Sequence, residues 1–195
     1  YNLVDTWFAG KISAEAIGAI AKSFPIYFVI IAVGVGIGAA TNASIGNLLG
    51  AKKDNQASLL VAQSIIFAIV ISIIVTLFGL NASDFLLTIM GSDLKSIILT
   101  REYLDIIFYG TFIVMIQISL NGTLNAQGDT KSYRNVLIFS FFLNIILNPI
   151  FIWGYGFIPA FGIAGLAIAT VISQLIGTVY LAYKVNSCKL RKYLY

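Results

Sequence analysis

Five apolar stretches, at residues 24–49, 59–80, 104–125, 136–157 and 162–183, constrain this 195-residue chain more than any other feature. An α-helix needs about 20 apolar residues to cross a bilayer, and each stretch supplies that length. A sixth, at residues 1–9, is too short and reads as the second half of a span. The stretches do not alternate polar and apolar residues, as strands of a membrane barrel must. Charged residues make up only 10% of the chain. A water-soluble domain needs roughly a quarter of its residues charged. The surface therefore faces lipid. The expected fold class is all-α, an integral membrane six-helix bundle with its first helix truncated.

Charge placement orders the six spans. The loops and tail at one end carry Lys52, Lys53, Lys131, Arg134, Lys184, Lys189, Arg191 and Lys192 against two acids, Asp54 and Asp129. The loops at the other end carry Lys11, Lys22, Lys95 and Arg101 against Glu15, Asp84, Asp93, Glu102 and Asp105. Lysine and arginine mark the cytoplasmic side. The expectation is a multi-pass protein of the cell membrane (plasma or inner), with the C-terminal end of the chain cytoplasmic.

The same inventory narrows the chemistry. No basic face with interleaved aromatics is present, so a nucleic acid is not an expected partner. The chain has no histidine and one cysteine, Cys188. That removes an intrachain disulfide, His-based metal sites and Ser-His or Cys-His catalysis. Only one acid, Asp5, lies well inside an apolar stretch, so no catalytic acid pair forms and an enzyme is not expected.

In lipid, polar side chains turn toward other helices or a cavity. Several are spaced to share a helix face: Asn2, Asp5 and Thr6; Gln117, Asn121 and Asn125; Ser140, Asn144 and Asn148; Thr170, Ser173, Gln174 and Thr178. Most can act as interhelical glue, each hydrogen bond contributing about 0.6 kcal/mol. Asn144 and Asn148 stand out because they lie one turn apart and precede Pro149. Asp5 stands out further, since a mid-span acid costs about 2.5–3.5 kcal/mol on insertion scales. Its reading is an ion or proton site. A carboxyl group there exchanges between a protonated form and a carboxylate paired with a cation, a competition suited to ion-coupled transport. Gly34 with Gly38, and Gly46 with Gly50, have the spacing that lets helices approach closely.

The order of these residues resembles the multidrug and toxic compound extrusion (MATE) transporters over essentially the whole chain. Tyr1-Asn2-Leu3-Val4-Asp5-Thr6 is similar to the acid-bearing middle of that family's first helix. Gly34 to Gly38 and Ser44 to Ala51 resemble its second helix and first turn, and Asn125 to Lys131 its loop between helices four and five. Asn144 to Ile152 resembles helix five, and Gly162 to Thr170 the start of helix six.

The resemblance implies one lobe, residues 1–195, of a twelve-helix transporter, with the C-terminal lobe of the same protein as its missing partner. It implies export of organic cations in exchange for Na⁺ or H⁺, with no cofactor beyond that ion. It places Asp5, Asn144, Asn148 and Thr170 at the cation site, with a Na⁺ at Asp5. Asn2, Gln117, Asn121, Ser140 and Gln174 are the candidates for lining the cavity. One departure is Asn148, where many members carry an acid. The competing expectations are a flippase for lipid-linked oligosaccharides from the same superfamily, and a fragment inert without its second lobe.

Overall fold

The computed structural model describes residues 2–188 and 190, with only the backbone of Asn2. Lys189, Arg191 and Lys192, counted above in the basic tail, lie outside the described residues, as does the Asn2 side chain. Among the described residues six helices follow one another: α1 (Asn2–Ile12), α2 (Ala14–Gly50), α3 (Asp54–Ile89), α4 (Leu94–Ala126), α5 (Lys131–Trp153) and α6 (Ile163–Asn186). Among the described residues there is no strand, only an isolated bridge between Tyr155 and Ile158. All helices but α1 are long and apolar enough to cross a membrane. Lipid exposure is plainest on α3, whose most apolar stretch is only 22% buried. A helix apolar on all sides and so little covered is stable in lipid, not in water.

Local chemistry sets the helix ends. Ser13 alone separates α1 from α2, and its Oγ accepts a hydrogen bond from the Ala16 amide at 3.1 Å. That is the N-cap geometry that starts a new helix. The turn after α2 is closed by Lys52 at φ 57°, with the Lys53 amide bonded to the Leu48 carbonyl at 2.9 Å. Gly50 is not the left-handed residue there. The polar stretch from Asn81 does not end α3. Asn81 Nδ2 donates to the Leu77 carbonyl at 2.7 Å, and Thr88 Oγ1 to the Asp84 carbonyl at 2.7 Å. Ser83 Oγ also donates to the Gly79 carbonyl. Side chains bonded back onto their own helix do not terminate it. The break comes at Gly91, at φ 74°.

The chain forms two compact units. One comprises residues 1–30, 75–111 and 140–173, and the other residues 31–74, 112–139 and 174–195. Every helix from α2 to α6 contributes a segment to both. In the first unit, Arg101 braces α3 to α4. Its guanidinium donates to Asp84 Oδ1 at 2.9 Å, to the Leu80 carbonyl at 3.3 Å and to Asp105 Oδ2 at 3.2 Å.

The second unit holds a core of Ile45, Ala57, Val61, Leu120, Leu124, Val136, Leu181 and Val185. There α2 and α4 meet closely. A Cβ on Gly38 would stand 2.6 Å from Ile118, and one on Gly122 2.5 Å from the Gly38 carbonyl oxygen. The Gly34–Gly38 spacing therefore does allow a close approach, with Ile118 against both. Gly46 and Gly50 do not share in it: nothing lies within 4 Å of a Cβ at either. Spacing alone puts two glycines on one face but does not say what opposes that face.

Asp129 caps α5. Its Oδ1 accepts from the Lys131 and Ser132 amides at 3.1 and 3.0 Å, and its Oδ2 accepts the Ser132 hydroxyl at 2.6 Å. The Ser132 hydroxyl, aided by those amides and Lys184, holds the Asp129 carboxyl below its ordinary value. A carboxyl lowered by folding stabilises fully above the unfolded value of about 3.9 and loses that contribution as pH falls through the folded value. Asp129→Ala should therefore cost about 0.5–2 kcal/mol at neutral pH, the range for a lost cap. The difference from wild type should shrink on acidification below pH ~4, as read by thermal unfolding at a series of pH values.

Candidate cation site

The only acid at the heart of the first unit is completely buried. Asp5 of α1 has no exposed surface. Among the described residues it forms no ion pair, since the three salt bridges join Lys95 to Glu15 and Arg101 to Asp84 and Asp105. A buried carboxylate without a cationic partner depends on hydrogen bonds to survive.

Three helices supply them. Asn148 Nδ2 of α5 donates to Asp5 Oδ1 at 3.3 Å. Thr170 Oγ1 of α6 donates to Asp5 Oδ2 at 3.1 Å, and the Tyr103 hydroxyl of α4 to the same oxygen at 3.4 Å. The donors are tied to one another. Asn148 Nδ2 also donates to Asn144 Oδ1 at 3.2 Å, and Asn144 Nδ2 to Thr170 Oγ1 at 3.0 Å. Asp5, Asn148, Asn144 and Thr170 thus close a ring, and Asn144, Asn148 and Thr170 are as buried as the acid, at 0–1% exposure. The one-turn spacing of Asn144 and Asn148 puts both carboxamides on the α5 face that meets α1 and α6. α5 remains helical through Pro149.

Two properties of the ring bear on chemistry. First, its bonds to the carboxylate span 3.1–3.4 Å. Charge-assisted bonds from hydroxyls reach about 2.5–2.7 Å, so these donors position the carboxylate without saturating it. Second, Asn148 Oδ1 is buried and has no donor. An unsatisfied buried acceptor costs about 1–3 kcal/mol. Two carboxylate oxygens, two carboxamide oxygens and a threonine hydroxyl are the ligand types of a hard, oxygen-seeking cation. The same carboxyl can carry a proton instead.

The four residues assigned to the cation site are therefore brought together. Of the cavity candidates, the Asn2 side chain lies outside the described residues, and the other four are not members of the ring. Ser140 is buried, and its Oγ donates to the Ser173 carbonyl of α6 at 3.1 Å. Gln117, Asn121 and Gln174 belong to the second unit. Gln117 Nε2 donates to the Gln174 carbonyl at 3.2 Å, and Asn121 Oδ1 is buried without a donor. Ser140 and Gln117 thus pin backbone carbonyls of α6.

Tyr103 was not singled out by sequence. It stands at the edge of an apolar stretch, in Arg101-Glu102-Tyr103, where tyrosine ordinarily marks the membrane interface. Here it is 2% exposed. Its ring also lines a cavity of about 440 Å³, together with Leu3, Thr6, Ile20, Phe24 and Tyr27. One residue thus touches both the buried acid and an apolar cavity beside it.

The comparisons with known proteins agree with this fold. A family model described as MatE matches residues 1–150. A multidrug export protein, MepA, from Staphylococcus aureus is 28% identical over 92% of this chain and 39% of its own length. A probable multidrug resistance protein, NorM, from Thermotoga maritima is 29% identical over 98% of this chain and 42% of its own. An FAD transporter from Shewanella oneidensis is 27% identical over 90% of this chain and 39% of its own. The fold superposes on a crystal structure of MATE in the bent conformation with a TM-score of 0.91, at 29% identity, covering 99% of this chain and 44% of that one. It matches the inward-facing conformation of a multidrug resistance MATE transporter with a TM-score of 0.89. The chain spans about two fifths of the length of the relatives it matches. The stretch matched by the family model takes in α1 to α4, most of α5 and every member of the Asp5 ring except Thr170, and on that extent of agreement the chain belongs to the MatE family of membrane transporters.

Proposed function

We propose that this chain is one lobe of a secondary transporter that exports organic cations in exchange for Na⁺ or H⁺, with Asp5 binding the coupling ion. The observation that carries this reading is a buried carboxylate whose hydrogen-bond donors among the described residues are all neutral, with an unpaired carboxamide oxygen in the same ring. Occupation by Na⁺ supplies the missing positive charge. Occupation by H⁺ removes the need for it. Either event changes what Tyr103 and Thr170 bond to, and Tyr103 carries the change to the cavity wall. That wall is apolar and includes the aromatic rings of Phe24, Tyr27 and Tyr103, whose faces attract lipophilic cations.

The second lobe of the same protein completes the transport path, because alternating access is largely the rocking of one repeat against another. The basic end, with Lys52, Lys53, Lys131, Arg134 and Lys184, faces the cytoplasm in this reading. Two anionic cargoes compete with an organic cation: FAD, after the Shewanella relative, and a lipid-linked sugar phosphate. Both need basic groups in the cavity, and none of its lining residues is Lys or Arg.

Efflux of a cationic dye from cells expressing the complete protein tests the proposal. Asp5→Asn should abolish efflux, and equal rates for variant and wild type would remove Asp5 from the mechanism. An envelope defect without a drug phenotype in a knockout would favour the flippase.

A further inference from the structure

The second unit carries a feature that the transport reading does not use. Asn135, Val136 and Phe139 of α5, with Ile176, Gly177 and Tyr180 of α6, line a groove of about 380 Å³. Buried Gly177 lines it together with exposed Phe139, Ile176 and Tyr180. The lining residues from Val136 onward along α5, and all three on α6, are apolar or glycine but for one phenol. Such a surface is shaped for a hydrocarbon chain.

Beside Asn135 and Tyr180 the groove is flanked by basic residues. Arg134 adjoins Asn135, and its Nη2 donates to Asn135 Oδ1 at 3.2 Å. That bond holds the guanidinium beside the groove and leaves its other N–H donors free. Lys184 lies one turn past Tyr180, with Nζ 5.6 Å from the centre of the Tyr180 ring. Lys131 begins α5. Among the described residues no carboxylate lies within 4 Å of any of these three cations. The nearest acid in sequence, Asp129, is committed to the α5 cap. At the acid-rich loops, by contrast, Lys95 and Arg101 are paired. The mouth of the groove therefore offers donors and a net positive charge, which the Asp129 carboxylate, coupled to Lys184, offsets only in part.

We propose that this groove binds one anionic phospholipid, with an acyl chain between α5 and α6 and the phosphate held by Arg134 and Lys184. A guanidinium presents two parallel N–H donors that match two phosphate oxygens, and lysine adds a point charge. The Asn135 amide nitrogen is a further donor at the same mouth. A zwitterionic lipid would bring its own cation up against Arg134 and Lys184, so charge complementarity selects a headgroup with net negative charge. Tyr180 suits the boundary, its ring on the acyl chain and its hydroxyl at headgroup level.

Native mass spectrometry of the complete detergent-purified protein tests this, with phosphatidylglycerol and phosphatidylcholine of identical chains as probes. The first bound lipid should be phosphatidylglycerol, preferred about fivefold or more. The double substitution Arg134→Glu, Lys184→Glu should abolish that preference, and Ile176→Trp should reduce retention of both lipids by filling the groove. Arg134 is exposed and bonds only its neighbour, so Arg134→Glu alone keeps the test open if the double variant misfolds. Lys95→Glu, in the other unit, should leave the preference unchanged. Equal binding of the two lipids by wild type would overturn the proposal, as would a preference that survives the charge reversals. Retention of glycerol phosphate as tight as that of the lipid would also overturn it, because the groove would then contribute nothing.

Discussion

A single methyl group added at Gly165 is expected to cost the protein both stability and transport. A Cβ there would stand 2.5 Å from the Phe151 carbonyl oxygen, 2.6 Å from its carbon and 2.9 Å from the Ile152 amide nitrogen. All three are backbone atoms, so no side chain can turn aside. The connection between α5 and α6 cannot stretch to absorb the contact. The Phe161 amide is bonded to the Phe151 carbonyl at 2.9 Å and the Gly162 amide to the Ile152 carbonyl at 3.2 Å. Gly154, Gly156 and Gly162 turn the loop between them at positive φ.

Gly165→Ala must therefore push the start of α6 away from α5, at about 1–3 kcal/mol for overpacking. Thr170 lies little more than one turn further along α6, and it bridges Asn144 of α5 to Asp5. The displacement opens the ring on that side. The expected result is a melting temperature lower by several degrees and a transport rate reduced at least tenfold. Gly46→Ala is the control: open space surrounds a Cβ there, and alanine favours a helix by about 1 kcal/mol over glycine. Its melting temperature should hold or rise. A Gly165→Ala protein as stable and active as wild type would mean that α5 and α6 are not locked where the backbone contacts put them.

The contrast between these two glycines also shows how far the sequence could be read. Helix number was legible from apolar length. Asp5, Asn144 and Asn148 stood out through a conflict: they are polar inside apolar stretches, with one-turn spacing between the two asparagines. Thr170 entered only through the family resemblance, since a threonine on a helix face reads as ordinary interhelical glue. Tyr103 carries no such conflict. Tyrosine at the end of an apolar stretch is ordinary, and only the packing of α4 against α1 gives it a carboxylate to bond. The two glycines mislead in different ways: Gly46 has the spacing of a close approach yet meets open space, while nothing in the spacing around Gly165 announces the backbone it meets. Residues 81–89 lie beyond the apolar stretch that ends at residue 80, yet the side chains or carbonyls of Asn81, Ser83 and Asp84 join bonds within α3 and the helix continues to Ile89.

The largest effect on transport should come from Asp5→Asn, and a graded series around it separates an ion ligand from a structural pin. Asparagine keeps the shape of the aspartate and can still accept from Asn148, so the ring should assemble without its charge. Transport in proteoliposomes should fall to background and stay there however much coupling ion is added. Asn148→Leu removes one side chain that donates to both Asp5 Oδ1 and Asn144 Oδ1. A hydrogen bond to a charged group contributes about 1.5–3 kcal/mol, so the loss should be about ten- to a hundredfold at low ion concentration. The carboxylate remains, so raising Na⁺ or H⁺ should recover much of the rate. Tyr103→Phe deletes a single bond of 3.4 Å and should weaken transport least. Its effect should differ among substrates, because the same ring lines the cavity. If excess ion rescued Asp5→Asn as well as Asn148→Leu, the carboxylate would be a packing element and the coupling site would have to lie elsewhere in the protein.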